Sequence, residues 1–117
     1  MPAGPRAHHS WGRSRIIKLY TSLRKAGAEH VLGHQMLRSG TSVGAQYREA
    51  CRARSPAEFV SKMESALQEL DETSYWFELL VESEIVRASR LGPLIDETEQ
   101  LTAVFVASIV TAKRKRK

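Results

Sequence analysis

From Leu32 to Leu80 the apolar residues recur every three or four positions, and the run is broken at Ser55-Pro56-Ala57-Glu58. Such spacing keeps one face of a helix apolar, whereas a strand would need strict alternation. The break has the composition of a helix start. A serine can cap, a proline is tolerated where no intrahelical donor is needed, and a glutamate completes a capping box. Two long amphipathic helices therefore meet at a short connection. No Asn-Gly or Asp-Gly hairpin turn occurs anywhere in the chain.

The flanking segments read the same way. A first helix is expected from Trp11 or Arg15 to Ala26, with Ile16, Leu19, Tyr20 and Leu23 on one face and Gly27 as its stop. A second runs from Ala28 to about Arg54 on the stripe Leu32, Met36, Ser39, Val43, Tyr47 and Ala50. A third runs from the capping box to about Ser83 on Phe59, Met63, Ala66, Leu70, Thr73, Phe77 and Leu80. A fourth begins between Ser89 and Gly92, with Pro93 in its first turn. Its stripe is Leu91, Leu94, Ile95, Thr98, Leu101, Phe105, Ile109 and Ala112. The fold expected is all-α, an antiparallel up-down-up-down four-helix bundle over residues 13–112. A disordered extension over 1–12 and a basic tail over 113–117 flank it. Because the first helix is the shortest, one groove should stay partly uncovered. Val104, Val106 and Val110 lie off the main stripe and point to an oligomer interface. Gly40 and Gly44 would each cost a solvated helix about 1 kcal/mol relative to alanine, so they predict close helix packing.

Charge is distributed unevenly. Residues 1–54 carry ten Lys/Arg and two Asp/Glu, residues 55–112 carry three and eleven, and residues 113–117 are all basic. A basic side and an acidic side let copies attract each other, and the basic side can also meet nucleic acid. The cations singled out for nucleic acid are Lys113, Arg114, Lys115, Arg116, Lys117, Arg13, Arg15, Lys18, Arg24 and Lys25. Arg38, Arg48 and Arg52 face Glu69 and Glu72 as ion pairs within or between subunits, and Trp76 is expected at an interface.

Catalysis leaves no trace in the pattern. There is no phosphate-cradling glycine loop, nucleophile elbow or dinucleotide fingerprint. His30 and His34 stand one turn apart, but no Cys or third His completes a metal set, and the Glu-x-x-His pairs of di-iron bundles are absent. Neither metal nor cofactor is expected. Cys51 is the sole cysteine and reads as a packing thiol. The longest aliphatic-aromatic run near the C-terminus, Ala103 to Ala107, is far short of the ~20 residues that span a bilayer. With no apolar leader in MPAGPRAHHSW, a cytoplasmic protein is expected.

The segment Leu37-Arg38-Ser39-Gly40-Thr41-Ser42-Val43-Gly44-Ala45-Gln46-Tyr47-Arg48-Glu49-Ala50 resembles the second-helix motif of a known family. Ser55 to Phe59, Lys62, Ala66-Leu67-Gln68-Glu69-Leu70-Asp71-Glu72-Thr73 and Tyr75-Trp76 resemble its third. The family is the bacterial four-helix bundle proteins encoded in intervening sequences of 23S ribosomal RNA genes. It is similar to the accessory variability determinant of diversity-generating retroelements. The sequence departs at Gln46, where many members have Asn, and at Glu84, where Gly is usual. The resemblance implies a ring-like homo-oligomer, typically a pentamer, and an association with RNA, DNA or a ribonucleoprotein through basic surface. For a retroelement-associated member it also implies a reverse transcriptase partner. The alternative is a protein-binding scaffold whose basic half serves only the subunit interface.

Overall fold

Ser55 adopts extended backbone (φ −151°, ψ 158°), and its hydroxyl accepts the Glu58 amide at 3.1 Å. The Glu58 carboxylate reaches back to the Arg54 amide at 3.3 Å. Orphan donors at the helix start are thus satisfied by side chains, as the capping residues dictate. The computed structural model describes residues 13–116, and they form four α-helices: α1 (Arg13–Ser22), α2 (Gly27–Cys51), α3 (Pro56–Glu82) and α4 (Ala88–Arg116). The expected disordered extension over 1–12 lies outside these residues, as do Lys117 and the side chains of Arg13 and Arg116.

Several boundaries differ from the sequence pattern, each for a local reason. α1 stops at Ser22, because the Lys25 ammonium takes the carbonyls of Tyr20 (2.8 Å) and Leu23 (3.0 Å) that a longer helix would have used. Gly27 does not end α1; it opens α2, supplying the left-handed backbone (φ +61°) that turns the chain. Ala26 gives α2 no side-chain cap, and Glu29 in its first turn instead ties back the connection by accepting the Arg24 amide at 2.7 Å. α4 begins at Ala88, so Pro93 lies inside it rather than in its first turn. The hydrogen bond lost there is tolerated where Leu91 and Leu94 are both buried. α4 also continues through Arg116, past the Ala112 at which the apolar stripe stops.

The stripes meet in one core. α1 supplies Ile16, Leu19 and Leu23; α2 supplies Met36, Val43 and Tyr47; α3 supplies Met63, Leu70 and Phe77; α4 supplies Leu91, Leu101 and Phe105. Leu32 and Phe59 lie only half-buried, and Val60 takes the buried place beside Phe59. Two polar residues of the stripes are fully buried and face each other, with Thr73 Oγ1 2.9 Å from Ser39 Oγ. Thr73 Oγ1 also lies 2.8 Å from the Glu69 carbonyl, and Ser39 Oγ 3.3 Å from that of Met36, so neither hydroxyl is orphaned. The Tyr47 ring stacks on Phe105, centroids 5.6 Å apart and 5° from parallel, linking α2 to α4. Among the described residues no helix is long and apolar enough to cross a membrane.

The glycines of α2 divide by function. A Cβ on Gly40 would fall 2.8 Å from Cδ1 and 3.3 Å from Cγ2 of Ile16. A Cβ on Gly33 would fall 2.8 Å from Leu23 Cδ1. These two, seven residues apart, form the seat of α1. Close packing at Gly44 was expected and is absent, since a Cβ there meets nothing within 4 Å.

Gly40→Leu should destabilise the bundle by about 1–3 kcal/mol through overpacking against Ile16. Gly44→Ala should stabilise it by about 0.5–1 kcal/mol through helix propensity. Thermal melts of the two variants should therefore move in opposite directions. Glu84 carries φ +60° just after α3, a backbone region costly for a side chain. Glu84→Gly should raise stability by up to about 1 kcal/mol in denaturant titration, and a loss would show that the Glu84 side chain contributes more than its strain costs.

Candidate functional site

The basic residues fall into two groups by what they touch. Arg15 pairs with Glu97 of α4, Arg24 with Glu29 (3.6 Å), and Lys113 with Glu64 of α3 (3.3 Å). Lys25 closes the end of α1 and stands 4.0 Å over the Tyr20 ring. These cations, named for nucleic acid from the sequence, are held by their own chain. Lys18, Arg114 and Lys115 are exposed and make no ion pair among the described residues. Arg13, Arg116 and Lys117 were named too, and their side chains lie outside the described set.

The expected pairs across helices divide likewise. Arg38 of α2 forks between Glu69 (3.4 Å) and Glu72 (2.9 Å) of α3. Arg48 and Arg52, expected beside them, are exposed and pair with no carboxylate among the described residues. The ion pair between α3 and this part of α2 is Lys62 to Glu49 at 2.8 Å. That carboxylate, through its hydrogen bond and its charge, raises the Lys62 pKa. Such exposed pairs are screened by solvent and add little to stability. Trp76 is half-buried, with its ring edge-on to Tyr75 at 5.0 Å and its Nε1 buried without a partner. His30 and His34 lie 6.5 Å apart, centroid to centroid. No group of three or more His, Cys, Asp or Glu among the described residues is gathered as a metal would need.

Folding brings together cations that are far apart in the chain. The end of α2, the α2–α3 connection and the last turns of α4 enclose a groove of about 640 Å³. Ala50, Cys51, Phe59, Val104 and Ala107 make its walls, and Arg54 and Lys115 stand on its margin. Arg48 and Arg52 on α2 and Arg114 on α4 adjoin the same end. Arg54 was missed as a site residue because sixty-one positions separate it from Lys115. Its only sequence signal was membership of the basic half. A smaller cleft of about 340 Å³ between α1 and the start of α4 is lined by Arg15, Lys18 and Arg90. Arg90 also donates to Ser22 Oγ at 2.9 Å.

Cys51 borders the larger groove, half-buried, beside the Tyr47 hydroxyl. Burial, and next a hydrogen bond with that thiol, push the Tyr47 pKa well above the ordinary phenol value.

Comparison with known proteins follows this geometry. The family model for the 23S rRNA-intervening sequence protein matches residues 12–107. The chain is similar to a crystal structure of a protein of unknown function from the S23 ribosomal protein family of Bacteroides thetaiotaomicron. The two are 37% identical with a TM-score of 0.78, over 83% of this chain and 90% of that one. No curated protein matches the chain.

The Tyr47 environment makes a measurable difference at alkaline pH. The folded state holds the phenol neutral, so its stabilising effect is complete below the unfolded value of about 10 and is lost as pH rises towards the folded pKa. Tyr47→Phe should flatten the fall of stability above about pH 10. An ultraviolet titration should show Tyr47 ionising only as the protein unfolds.

Proposed function

Because the chain belongs to the 23S rRNA-intervening sequence protein family, we propose that it is a non-enzymatic oligomeric accessory protein holding nucleic acid or a ribonucleoprotein through basic surface. The observation that carries this reading is the gathering of unpaired cations at one end: Arg48, Arg52, Arg54, Arg114 and Lys115. A phosphate backbone is bound by such charge without any apolar partner. The cleft with Arg15, Lys18 and Arg90 supplies a second cationic patch. Arg15 keeps its Glu97 partner there, so Lys18 is the freer contact.

The bundle path in this reading is antiparallel, up-down-up-down. Arg38 with Glu72 and Glu49 with Lys62 support it for α2 and α3, since later residues on one meet earlier residues on the other. Copies assemble head to tail into a ring, a pentamer in the family's manner, with the basic half of one against the acidic half of the next. The exposed Val106 and Val110 offer apolar area for that contact. Where the gene lies in a retroelement, the ribonucleoprotein partner is a reverse transcriptase. The protein acts in the cytoplasm and uses no metal or cofactor. The second reading, a protein-binding scaffold, is favoured by the apolar walls of the groove beside those same cations.

A titration of structured RNA and duplex DNA at several salt concentrations tests the proposal. Replacing Arg54, Arg114 and Lys115 with glutamine should weaken binding across sequences. The slope of log affinity against log salt should fall by about 0.9 per lost duplex contact and 0.7 per lost single-strand contact. An unchanged slope would remove these cations from the interface, and no binding by the parent protein at low salt would leave the scaffold reading. Native mass spectrometry should show a closed oligomer that Arg48→Glu with Arg52→Glu weakens, and a monomer alone at micromolar concentration would reject the ring.

A further inference from the structure

We propose that the groove between the end of α2 and the last turns of α4 receives an acidic amphipathic helix from a partner protein. The proposal stands apart from nucleic-acid binding and does not require it.

Among the described residues, the groove continues the line of the α1 seat. Leu23 abuts Gly33 and Ile16 abuts Gly40, so the N-terminal end of α1 points along α2 towards Gly44 and Cys51. Gly44 has open space beside it, and Cys51 borders the groove. On α4 the contact with α1 is marked by Arg15 on Glu97. The same flank of α4 then runs through Val104, Ser108, Thr111 and Lys115, at three- and four-residue steps beyond the end of α1. Two helix flanks that meet one short helix therefore run on past its described residues, with Ala50, Ala53 and Ala107 among the residues lining the groove. α1 shows what such a seat accepts, namely aliphatic side chains set into notches left by missing Cβ atoms. The stretch from Val104 to Lys115 offers about 17 Å, three turns of a helical ligand.

Charge selects the class of helix. The residues lining the groove include Arg54 and Lys115 and no carboxylate. Arg48, Arg52 and Arg114 adjoin them and make no ion pair among the described residues. A docked helix would turn its apolar face to Ala50, Phe59 and Val104 and hold acidic residues along its edges. Nucleic acid would use the cations alone, whereas an acidic helix would also cover the apolar walls.

The probe is a fluorescein-labelled synthetic peptide of three to four turns, with leucine and alanine on one face and glutamate on the other, titrated with the full chain. A copy bearing lysine for glutamate serves as control. Saturable binding of the glutamate peptide alone is expected. Ala107→Trp and Thr111→Trp fill the groove from exposed positions and should each weaken it about tenfold. Arg54→Glu should weaken it about fivefold, with the deficit shrinking as salt rises. The proposal is overturned by no saturation at about 100 µM protein, by equal binding of the lysine peptide, or by unchanged affinity in both tryptophan variants with native circular dichroism. Binding that emerges only when residues 1–12 are deleted would assign the groove to the chain's own segment. A changed subunit number in Ala107→Trp would assign it to a second copy, and a matching loss of RNA binding would assign it to nucleic acid. Each of these overturns the proposal, whereas a parent chain that fails to bind RNA leaves it standing.

Discussion

Two absent Cβ atoms govern the shape of this bundle. Gly33 and Gly40 let Leu23 and Ile16 settle onto α2, and their seven-residue spacing sets both the register and the reach of α1. A helix of ten residues placed by those contacts covers only part of the gap between α2, with twenty-five residues, and α4, with twenty-nine. The remainder of the gap is the apolar groove. Glycine in a helix interior costs about 1 kcal/mol relative to alanine, and here close packing of buried aliphatic side chains offsets that cost at two positions. At Gly44 no described residue comes within 4 Å of a Cβ, so among the described residues nothing offsets that cost there.

The other three helices do not rely on α1 for their alignment. Ser39 and Thr73 join α2 to α3 inside the core, and both hydroxyls remain satisfied by local carbonyls. A buried polar pair of this kind adds little net stability but penalises any register that separates its members. Tyr47 on Phe105 does the corresponding work between α2 and α4. Salt bridges such as Arg38 with Glu69 and Glu72 then reinforce a register that packing has already selected.

Electrostatics gain their meaning from this packing. In the chain, basic residues are spread over the first half and the C-terminus. In the fold, Arg15, Arg24, Lys25 and Lys113 are engaged by carboxylates, carbonyls or a ring of the same molecule. Of the cations with no ion pair among the described residues, Arg48, Arg52, Arg54, Arg114 and Lys115 lie where α2 ends and α4 ends, and Arg54 and Lys115 line the apolar groove there. Charge next to exposed apolar surface is a different interaction site from charge alone, because it discriminates between partners that bring apolar area and partners that do not.

Much of the fold was legible in the sequence, because burial on a helix follows a fixed period and a capping box is a local chemical device. The four segments, the buried stripe on each and the start at Ser55 needed only those rules. At Glu84 the sequence showed only a side chain where the resembling family has glycine, and its left-handed backbone became visible in the fold. Helix ends were less legible, since Lys25 and Glu29 compete for backbone groups only once the chain has turned. Which glycines serve close packing could not be read, because periodicity places Gly33, Gly40 and Gly44 on nearly one face and says nothing about how far a neighbouring helix extends. Nor could the pairing of Arg54 with the end of α4 be read, since it depends on two long helices ending at the same level. The sequence by itself determined the number, faces and caps of the helices, because these arise from interactions a few residues apart. The tertiary structure alone decided which cations are free and where the core stays open, because both depend on the length of one helix measured against another.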